Sequence, residues 1–403
     1  MKAGVERGIH TEGLLGITGV GGVGGGGGHG WGRASLTEAM GGIWEEGYGA
    51  VPPPAQPKGS STARRPGGWS DSLGALVPGS CLILDLIWAV SGCLLLLAGH
   101  INSAAAVLLP FVVLAARPLK DVPDPPKWLR RLDPVAAALR YFPIRVAFEA
   151  PAAFSDAAQG GAARDQRTRP VVLALEPHSV LPLSAVAFSS MNGLGWPPGF
   201  PGALRILASS AVGLPPLTRH FARWHGLADA RRASARRLLA RGESLLIVPG
   251  GVRETALLRR DAPGGPAVSR VWLSDRRGFV RLALEHRAHL VPAYAFGQDG
   301  AFGFRLPWDG LLMTEKRYVA LARRLGFAPI LFWGRFGPLP AVPFKRPMHV
   351  VVGEPVDVPA YDEVTHELVE LVRKRFVSSL VALFDRHKTA VPGYGPHAKL
   401  HVL

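Results

Sequence analysis

The chain has 403 residues and combines a high apolar content with a strong positive charge. Apolar residues make up 48% of it, charged residues 19%, and the mean hydropathy is +0.17. This composition excludes a chain that is disordered throughout and favours a membrane-associated protein. The net charge of +16 favours an anionic membrane surface or a phosphate-bearing substrate. We expect no nucleic-acid partner, because no run interleaves basic and aromatic residues.

Cysteine usage gives no sign of a disulfide framework or a metal site. The two cysteines, Cys81 and Cys93, lie in one apolar stretch, and no group of cysteines and histidines has zinc spacing. We therefore expect both thiols to act as small apolar side chains and no metal to be bound.

The sequence divides into three regions. Residues 1–70 are rich in glycine and have little apolar periodicity, so they cannot bury enough surface to offset their ordering entropy and are predicted to be disordered. Residues 71–118 are strongly apolar, and residues 119–403 carry the patterns of an α/β domain.

The apolar region is predicted to form a membrane helical hairpin. Residues 82–99 contain a single ionised group, Asp85, and residues 101–116 are apolar with one helix-kinking proline, Pro110. Each piece approaches the length of a short membrane span. Basic residues flank the region on both sides, which by the positive-inside rule places both flanks in the cytoplasm. A buried helical hairpin of a soluble domain is the alternative.

Short apolar runs alternate with helical patterns in the rest of the chain. This alternation predicts a central, largely parallel sheet flanked by helices. The predicted strands are 171–175, 244–248, 289–296, 329–333 and 349–352, and the predicted helices are 230–239, 278–286 and 361–387.

The turn after the first predicted strand carries a candidate general base. The strand ends at Glu176-Pro177, and His178 and Ser179 follow. Ligands of open α/β sheets bind at the carboxyl ends of the strands, and a neutral imidazole can take a proton from an alcohol there. A loop histidine without a role is the alternative.

A second strand-to-turn junction lies at 248–254. Its paired glycines, Gly250 and Gly251, allow a close backbone approach to a ligand and point N–H groups at it. Glu254 is placed to orient His178 or to hold an acceptor hydroxyl. The alternative is an ordinary turn that precedes a helix with an acidic first turn.

Basic side chains form two candidate phosphate sites. Arg277, just before the predicted helix 278–286, and Arg281 within it are one helical turn apart, and the series 231–241, which includes Arg237, offers a rival site. Either set suits the phosphates of a nucleotide-like cofactor. A solvated helix face is the alternative for both.

A collinear series of short blocks makes the chain resemble the type-2 diacylglycerol acyltransferase family in its plant and algal form. Together the blocks extend over about residues 75–403. They are Tyr141-Phe-Pro, Glu176-Pro-His-Ser-Val-Leu-Pro, Val248-Pro-Gly-Gly-Val-Arg-Glu-Thr, Arg277-Gly-Phe-Val-Arg, Leu290-Val-Pro, Phe296-Gly-Gln, Phe332-Trp-Gly, Arg346-Pro-Met-His-Val-Val-Val-Gly-Glu-Pro and Phe384-Asp-Arg-His-Lys.

The resemblance implies an endoplasmic-reticulum membrane enzyme with its catalytic domain on the cytoplasmic side. Such an enzyme transfers a fatty acyl group from acyl-CoA to diacylglycerol and gives triacylglycerol, without a bound cofactor. The implied partners are the two substrates, the bilayer and the lipid-droplet surface, and the sequence leaves a homo-oligomer open. His178 matches the family's catalytic histidine, and the glutamate at Glu176 matches its plant members.

Our hypothesis for the mechanism is direct transfer without a covalent acyl-enzyme. His178 accepts the hydroxyl proton, a glycine turn stabilises the oxyanion, and Glu254, or less favourably Glu176, holds the imidazole. The substrate-binding residues are expected to be Pro177, Ser179, Gly250, Gly251, Arg277 and Arg281.

Other activities remain open from the sequence. The acceptor is alternatively a monoacylglycerol or a fatty alcohol, the latter giving wax esters. A lysophospholipid acyltransferase is disfavoured because Leu183 replaces the aspartate of the HxxxxD dyad. A non-catalytic lipid-droplet scaffold is a further alternative.

Overall fold

The computed structural model describes the parts of the chain that carry the predicted hairpin, sheet and site. Residues 1–70, with their predicted disorder, lie outside the described residues, and so does most of the flank that follows the hairpin. The described residues are 84–85, 87–116, 123–125, 138, 141–154, 169–191, 196–255, 258, 268–306, 313–335 and 342–403.

Eleven strands form one large sheet and two small ones in the described part of the chain. In chain order they are β1 (Ile144–Phe148), β2 (Val171–Glu176), β3 (Arg205–Ala208), β4 (Leu227–Asp229), β5 (Leu245–Ile247), β6 (Val268–Val271), β7 (His289–Phe296), β8 (Gly303–Arg305), β9 (Leu331–Trp333), β10 (Met348–Val352) and β11 (Lys399–Val402).

Eight α-helices of five or more described residues accompany these strands, and residues 138 and 141 are also helical. The eight helices are α1 (87–97, with 84–85 also helical), α2 (Ile101–Ala116), α3 (Thr218–Trp224), α4 (Arg232–Ala240), α5 (Gly251–Thr255), α6 (Gly278–Glu285), α7 (Glu315–Leu325) and α8 (His366–His387).

The large sheet has seven strands in the order β1-β10-β7-β2-β5-β3-β4. Strands β7, β2, β5, β3 and β4 are mutually parallel, whereas β10 is antiparallel to β7 and pairs in parallel with β1. The prediction of a largely parallel sheet flanked by helices is therefore confirmed. All six residues of β2 are buried, as expected for a central strand covered on both faces.

The two faces of the sheet bury different clusters. Side chains alternate along β2, so that Val172 faces one side and Leu173 the other. Helices α4, α6 and α8 cover the first face, and an aromatic group that includes Phe188 and Phe200 covers the second. A third cluster, contributed by β8, β9 and α7 among others, contains Val180 just beyond the end of β2.

The long C-terminal helix begins later than the sequence predicts. We expected a helix over 361–387, but α8 starts at His366. The side chain of Thr365 accepts a hydrogen bond from the backbone N–H of Leu368, which satisfies a free amide of the first turn and fixes the start there.

Helices α1 and α2 form an antiparallel hairpin. Trp88 Nε1 donates to the carbonyl of Val107 at 2.7 Å, and its ring packs edge-on against Phe111. A Cβ at Gly92 would lie 2.4 Å from Leu108, so the helices approach closely there. Much of the outer apolar surface is exposed, with Leu97 85% exposed, which does not match a buried hairpin.

No helix in the described residues is long and apolar enough to cross a membrane. Helix α2 has 16 residues. The membrane role of the hairpin therefore stays a prediction.

The hairpin is docked on the start of α3 through a buried carboxylate. Asp85 is 1% exposed and accepts from the backbone N–H groups of Leu217 and Thr218 at 2.9 and 2.8 Å and from the Thr218 hydroxyl at 2.8 Å. Arg219 also donates to the carbonyl of Leu114. Because α3 connects parallel strands β3 and β4, its start lies at the carboxyl edge of the sheet, where β2 also ends.

We expect Asp85→Ala to lower the free energy of unfolding by about 2–3 kcal/mol, because it leaves buried donors without an acceptor. Asp124→Ala is the matched control: Asp124 is 73% exposed and 3.7 Å from Arg223, so its loss should cost roughly 0.5 kcal/mol or less. Denaturant unfolding in detergent measures both. Equal losses in the two variants would contradict the docking role.

Candidate active site

The ring of His178 is held through its Nδ1 atom. Ser179 adopts a left-handed backbone conformation with φ 55°, and its carbonyl oxygen lies 3.0 Å from Nδ1. The Thr255 hydroxyl lies 3.0 Å from the same atom and donates to the carbonyl of Gly251. Because a carbonyl oxygen only accepts, Nδ1 carries the proton and the lone pair of the neutral ring is on Nε2.

Burial sets the charge of this ring. It lowers the pKa of His178 below the ordinary 6.5, because the protonated form loses hydration. The imidazole is therefore neutral at neutral pH, which is the form that can accept a proton.

Glu254 acts on the backbone of His178 and not on its ring. The carboxylate is buried, accepts from the backbone N–H of His178, and accepts from the backbone N–H of Trp272 at 3.3 Å. The expectation that a glutamate holds the imidazole is therefore corrected. Thr255 and the Ser179 carbonyl hold the ring, because the Glu254 carboxylate is already occupied by backbone amides.

Glu176 and Glu254 form a buried carboxyl pair. Burial and the neighbouring charge of Glu254 raise the pKa of Glu176 well above its ordinary value, and burial raises the pKa of Glu254 to about 7. Glu176 Oε1 accepts from the Gly250 N–H at 3.0 Å, while Oε2 is buried without a donor among the described residues. Ionising both of two adjacent buried carboxyl groups costs much free energy, so the pair retains at least one proton at neutral pH.

The two glycines of the 248–254 junction, Gly250 and Gly251, have different structural roles. A Cβ at Gly250 would lie 2.0 Å from Glu254 Oε2, so a side chain at this position would collide with the carboxyl pair. The Gly250 N–H is taken by Glu176 and is not free for an oxyanion. Gly251, at φ 54°, is the remaining glycine for that role.

The structure separates the two candidate phosphate sites. Arg276 donates to the carbonyl of Gly250 at 2.9 Å, which places the start of α6, with Arg277 and then Arg281, beside the His178 edge. Arg237 lies in the last turn of α4, at the opposite edge, because α4 runs antiparallel to β5. Arg277 is paired with Glu370 of α8 at 2.9 Å, a contact between distant segments that the sequence did not indicate.

A cavity of about 70 Å³ adjoins the His178 turn. Pro177, Ser179 and Glu254 line one side, and Trp272, Asp299 and Phe304 line the other. The volume is below the roughly 300–1,000 Å³ of a typical ligand pocket, so it has room for a reacting group and not for a whole lipid. Among the described residues no cluster of three metal-binding side chains occurs.

The family model for diacylglycerol acyltransferase matches residues 125–401. The chain therefore belongs to the diacylglycerol acyltransferase family, and the resemblance drawn from the sequence blocks is confirmed.

The chain matches part of the length of its animal relatives. Diacylglycerol O-acyltransferase 2 of Bos taurus and of Mus musculus are each 32% identical over 235 residues, which is 55% of this chain. The match covers 62% and 58% of these relatives, respectively, so the chain spans about three fifths of their length.

A solved structure, the 1-acyl-sn-glycerophosphate (LPA) acyltransferase PlsC from Thermotoga maritima, aligns with 77% of this chain and 98% of its own. The identity is 13% and the TM-score 0.33, which is too low to establish a shared fold.

The carboxyl pair predicts a dependence of stability on pH. A carboxyl group whose pKa is raised in the folded state stabilises the fold below the unfolded value of 4.5 and loses this contribution as pH rises through about 7. We expect the melting temperature to fall between pH 5 and pH 7.5 (roughly the interval between those two pKa values), and Glu254→Gln to flatten this slope.

Glu285→Gln serves as the control for this measurement. Burial alone would raise the pKa of Glu285, but hydrogen bonds and charge from Arg236 and Arg232 outweigh it and lower this pKa below its ordinary value. Glu285 is therefore ionised over the whole pH interval, and Glu285→Gln should keep the wild-type slope. An unchanged slope in Glu254→Gln would show that Glu254 does not bind a proton in this pH interval.

Proposed function

We propose that the protein transfers a fatty acyl group from acyl-CoA to diacylglycerol, giving triacylglycerol and free CoA. The observation that carries this proposal is the neutral His178 ring at the carboxyl edge of the sheet, with Nδ1 held and the Nε2 lone pair available, in a chain of this family. The site is expected to work at the endoplasmic-reticulum membrane, on its cytoplasmic side, and on lipid droplets.

In the proposed reaction, Nε2 of His178 takes the proton of the acceptor hydroxyl as the oxygen attacks the thioester carbonyl. The tetrahedral oxyanion is stabilised by a backbone N–H, for which Gly251 is the candidate, typically by several kcal/mol. Collapse of the intermediate breaks the carbon–sulfur bond, and the imidazolium returns its proton to the leaving thiolate. The proton is conserved and no acyl-enzyme forms.

Thr255 and Ser179 act on the charged intermediate of this step. When Nε2 is protonated, Nδ1–H still donates to the Ser179 carbonyl and the Thr255 oxygen, both 3.0 Å away. These acceptors stabilise the imidazolium, and they keep Nε2 directed at the reacting hydroxyl. Thr255 is therefore a positioning residue.

The hairpin supports a membrane location for the site. Its exposed apolar helices are docked by Asp85 at the carboxyl edge that also presents His178. Diacylglycerol resides in the bilayer, and an apolar element at this edge brings the site to that lipid. The cationic start of α6, with Arg277 and Arg281, is the proposed contact for the CoA phosphates.

The function is tested in cells that lack neutral-lipid synthesis. We expect wild type to accumulate triacylglycerol and His178→Ala, at equal protein level, to accumulate none, because a positioned general base contributes about 10²–10⁴ in rate. His397→Ala, an exposed histidine, is the control and should retain synthesis. Wax esters in place of triacylglycerol would contradict the acceptor, and oil formation by His178→Ala would remove this base from the mechanism.

Thr255→Val and Thr255→Ser test the positioning residue. We expect valine, which fills the same space without the hydroxyl, to lower kcat about 10- to 100-fold, a part of what a positioned base supplies, with KM for acyl-CoA unchanged. Serine restores the hydroxyl and should recover most of kcat. Equal losses of kcat for Thr255→Val and Thr255→Ser would show that Thr255 contributes packing alone.

The pH profile of kcat should show that the wild type keeps its activity below pH 6.5, because burial lowers the pKa of His178.

A further inference from the structure

A second cavity lies at the carboxyl ends of β3 and β4. It has a volume of about 150 Å³ and is lined by Ala208 at the end of β3, by Ser209, Ser210, Val212 and Gly213 after it, by Ala222 of α3 and by residues 227–229 of β4. Small and apolar side chains make up most of this lining. The two helices beside it are α3, which carries the hairpin, and the C-terminal end of α7, where a Cβ at Gly326 would lie 3.2 Å from Ser209 Oγ.

Two of the three polar residues of the lining, Asp229 and Ser209, are engaged locally. The Asp229 carboxylate accepts from the Arg231 backbone N–H at 2.9 Å and pairs with its guanidinium. Ser209 Oγ accepts from the Ala211 N–H at 3.2 Å. With Ser210 as the remaining polar residue, the cavity presents a mostly apolar wall, which suits a hydrocarbon ligand better than a polar headgroup or water.

The cavity lies within reach of the candidate base. Strand β3 is separated from β2 by β5 alone, so at about 4.8 Å per strand the end of β3 is ~10 Å from the end of β2. His178 and the cavity share the carboxyl edge. A chain whose reactive end is at His178 therefore reaches the cavity with several methylene groups.

The approach to the cavity is apolar as well. Leu214, directly after the lining residue Gly213, is 60% exposed, and Phe327, next to Gly326, is 48% exposed. The hairpin is anchored on Thr218, four residues beyond Leu214. Exposed apolar side chains therefore connect the cavity with the hairpin surface, which is the proposed lipid side of the molecule.

We propose that this cavity binds a hydrocarbon chain of the lipid substrates and sets the preferred chain length. The inference rests on the proposed function, and its occupant is a fatty acyl chain, supplied either by acyl-CoA or by diacylglycerol. Val212 and Gly213 are the specificity-determining positions, because both line the cavity and directly precede Leu214 on its apolar approach.

Gly213→Leu tests the proposal by filling the cavity. A Cβ at Gly213 meets no atom within 4 Å, so the fold has room for the new side chain. We expect activity with C18 chains to fall at least tenfold relative to C10 chains, whereas Val212→Ala should favour the longer chains. Gly202→Leu, equally free of contacts and outside the cavity, is the control and should keep the wild-type profile.

Two series identify the source of the chain. In one, acyl-CoA varies from C10 to C18 at fixed diacylglycerol, and in the other the chains of diacylglycerol vary at fixed acyl-CoA. The series in which Gly213→Leu changes the dependence of activity on chain length identifies the substrate whose chain occupies the cavity. Unchanged profiles in both series, with the variant folded and active, would overturn the proposal.

A photoreactive acyl chain gives a readout that does not need turnover. Irradiation of the wild type with a diazirine-bearing C16 acyl-CoA or diacylglycerol should label peptides from 206–231, and Gly213→Leu should lose this label. Labelling of residues 206–231 without any transfer activity would support chain binding in the cavity and contradict the proposed function. Labelling confined to other peptides would reject the cavity, whatever the activity.

Discussion

The buried carboxyl pair of Glu176 and Glu254 fixes the relative positions of the chain segments that follow β2, β5 and β6. Glu254 accepts from backbone amides of the β2 turn and of the segment after β6, and Glu176 accepts from Gly250 after β5. Because an unpaired buried amide is costly, these contacts fix three separate chain segments at one point. The missing side chain of Gly250 leaves the space that the Glu254 carboxylate occupies.

A second buried carboxylate fixes the hairpin in the same way. Asp85 accepts from three donors at the start of α3, where the backbone amides of a helix are free and the dipole is positive. The exposed apolar helices are therefore attached to the sheet at one defined edge. Attachment at that edge matters for the proposed function, since a lipid acceptor would then approach His178 from the side of the hairpin.

The sequence predicts local features of this molecule far better than its long-range contacts. Strand β7 and the turn that carries His178 follow from periodicity and from Pro177. The ring contact of Thr255 and the pairing of Arg277 with Glu370 join residues 77 and 93 positions apart, and no local pattern encodes such pairs. The short strands β3 and β4 were also missed, because three or four residues are too few to show a period.

Burial acts in opposite directions on the two kinds of titrating group in the site. It lowers the pKa of His178 and raises the pKa of Glu176 and Glu254, because in each case the charged form loses water. When the pair holds a single proton, the site contains a neutral base and one negative charge shared by two carboxyl groups, of which Glu254 accepts from the backbone N–H of that base. In the proposed reaction, proton transfer to Nε2 would place a positive charge on the residue whose backbone N–H the Glu254 carboxylate accepts from, so an anionic Glu254 would favour the charged intermediate more than the resting state.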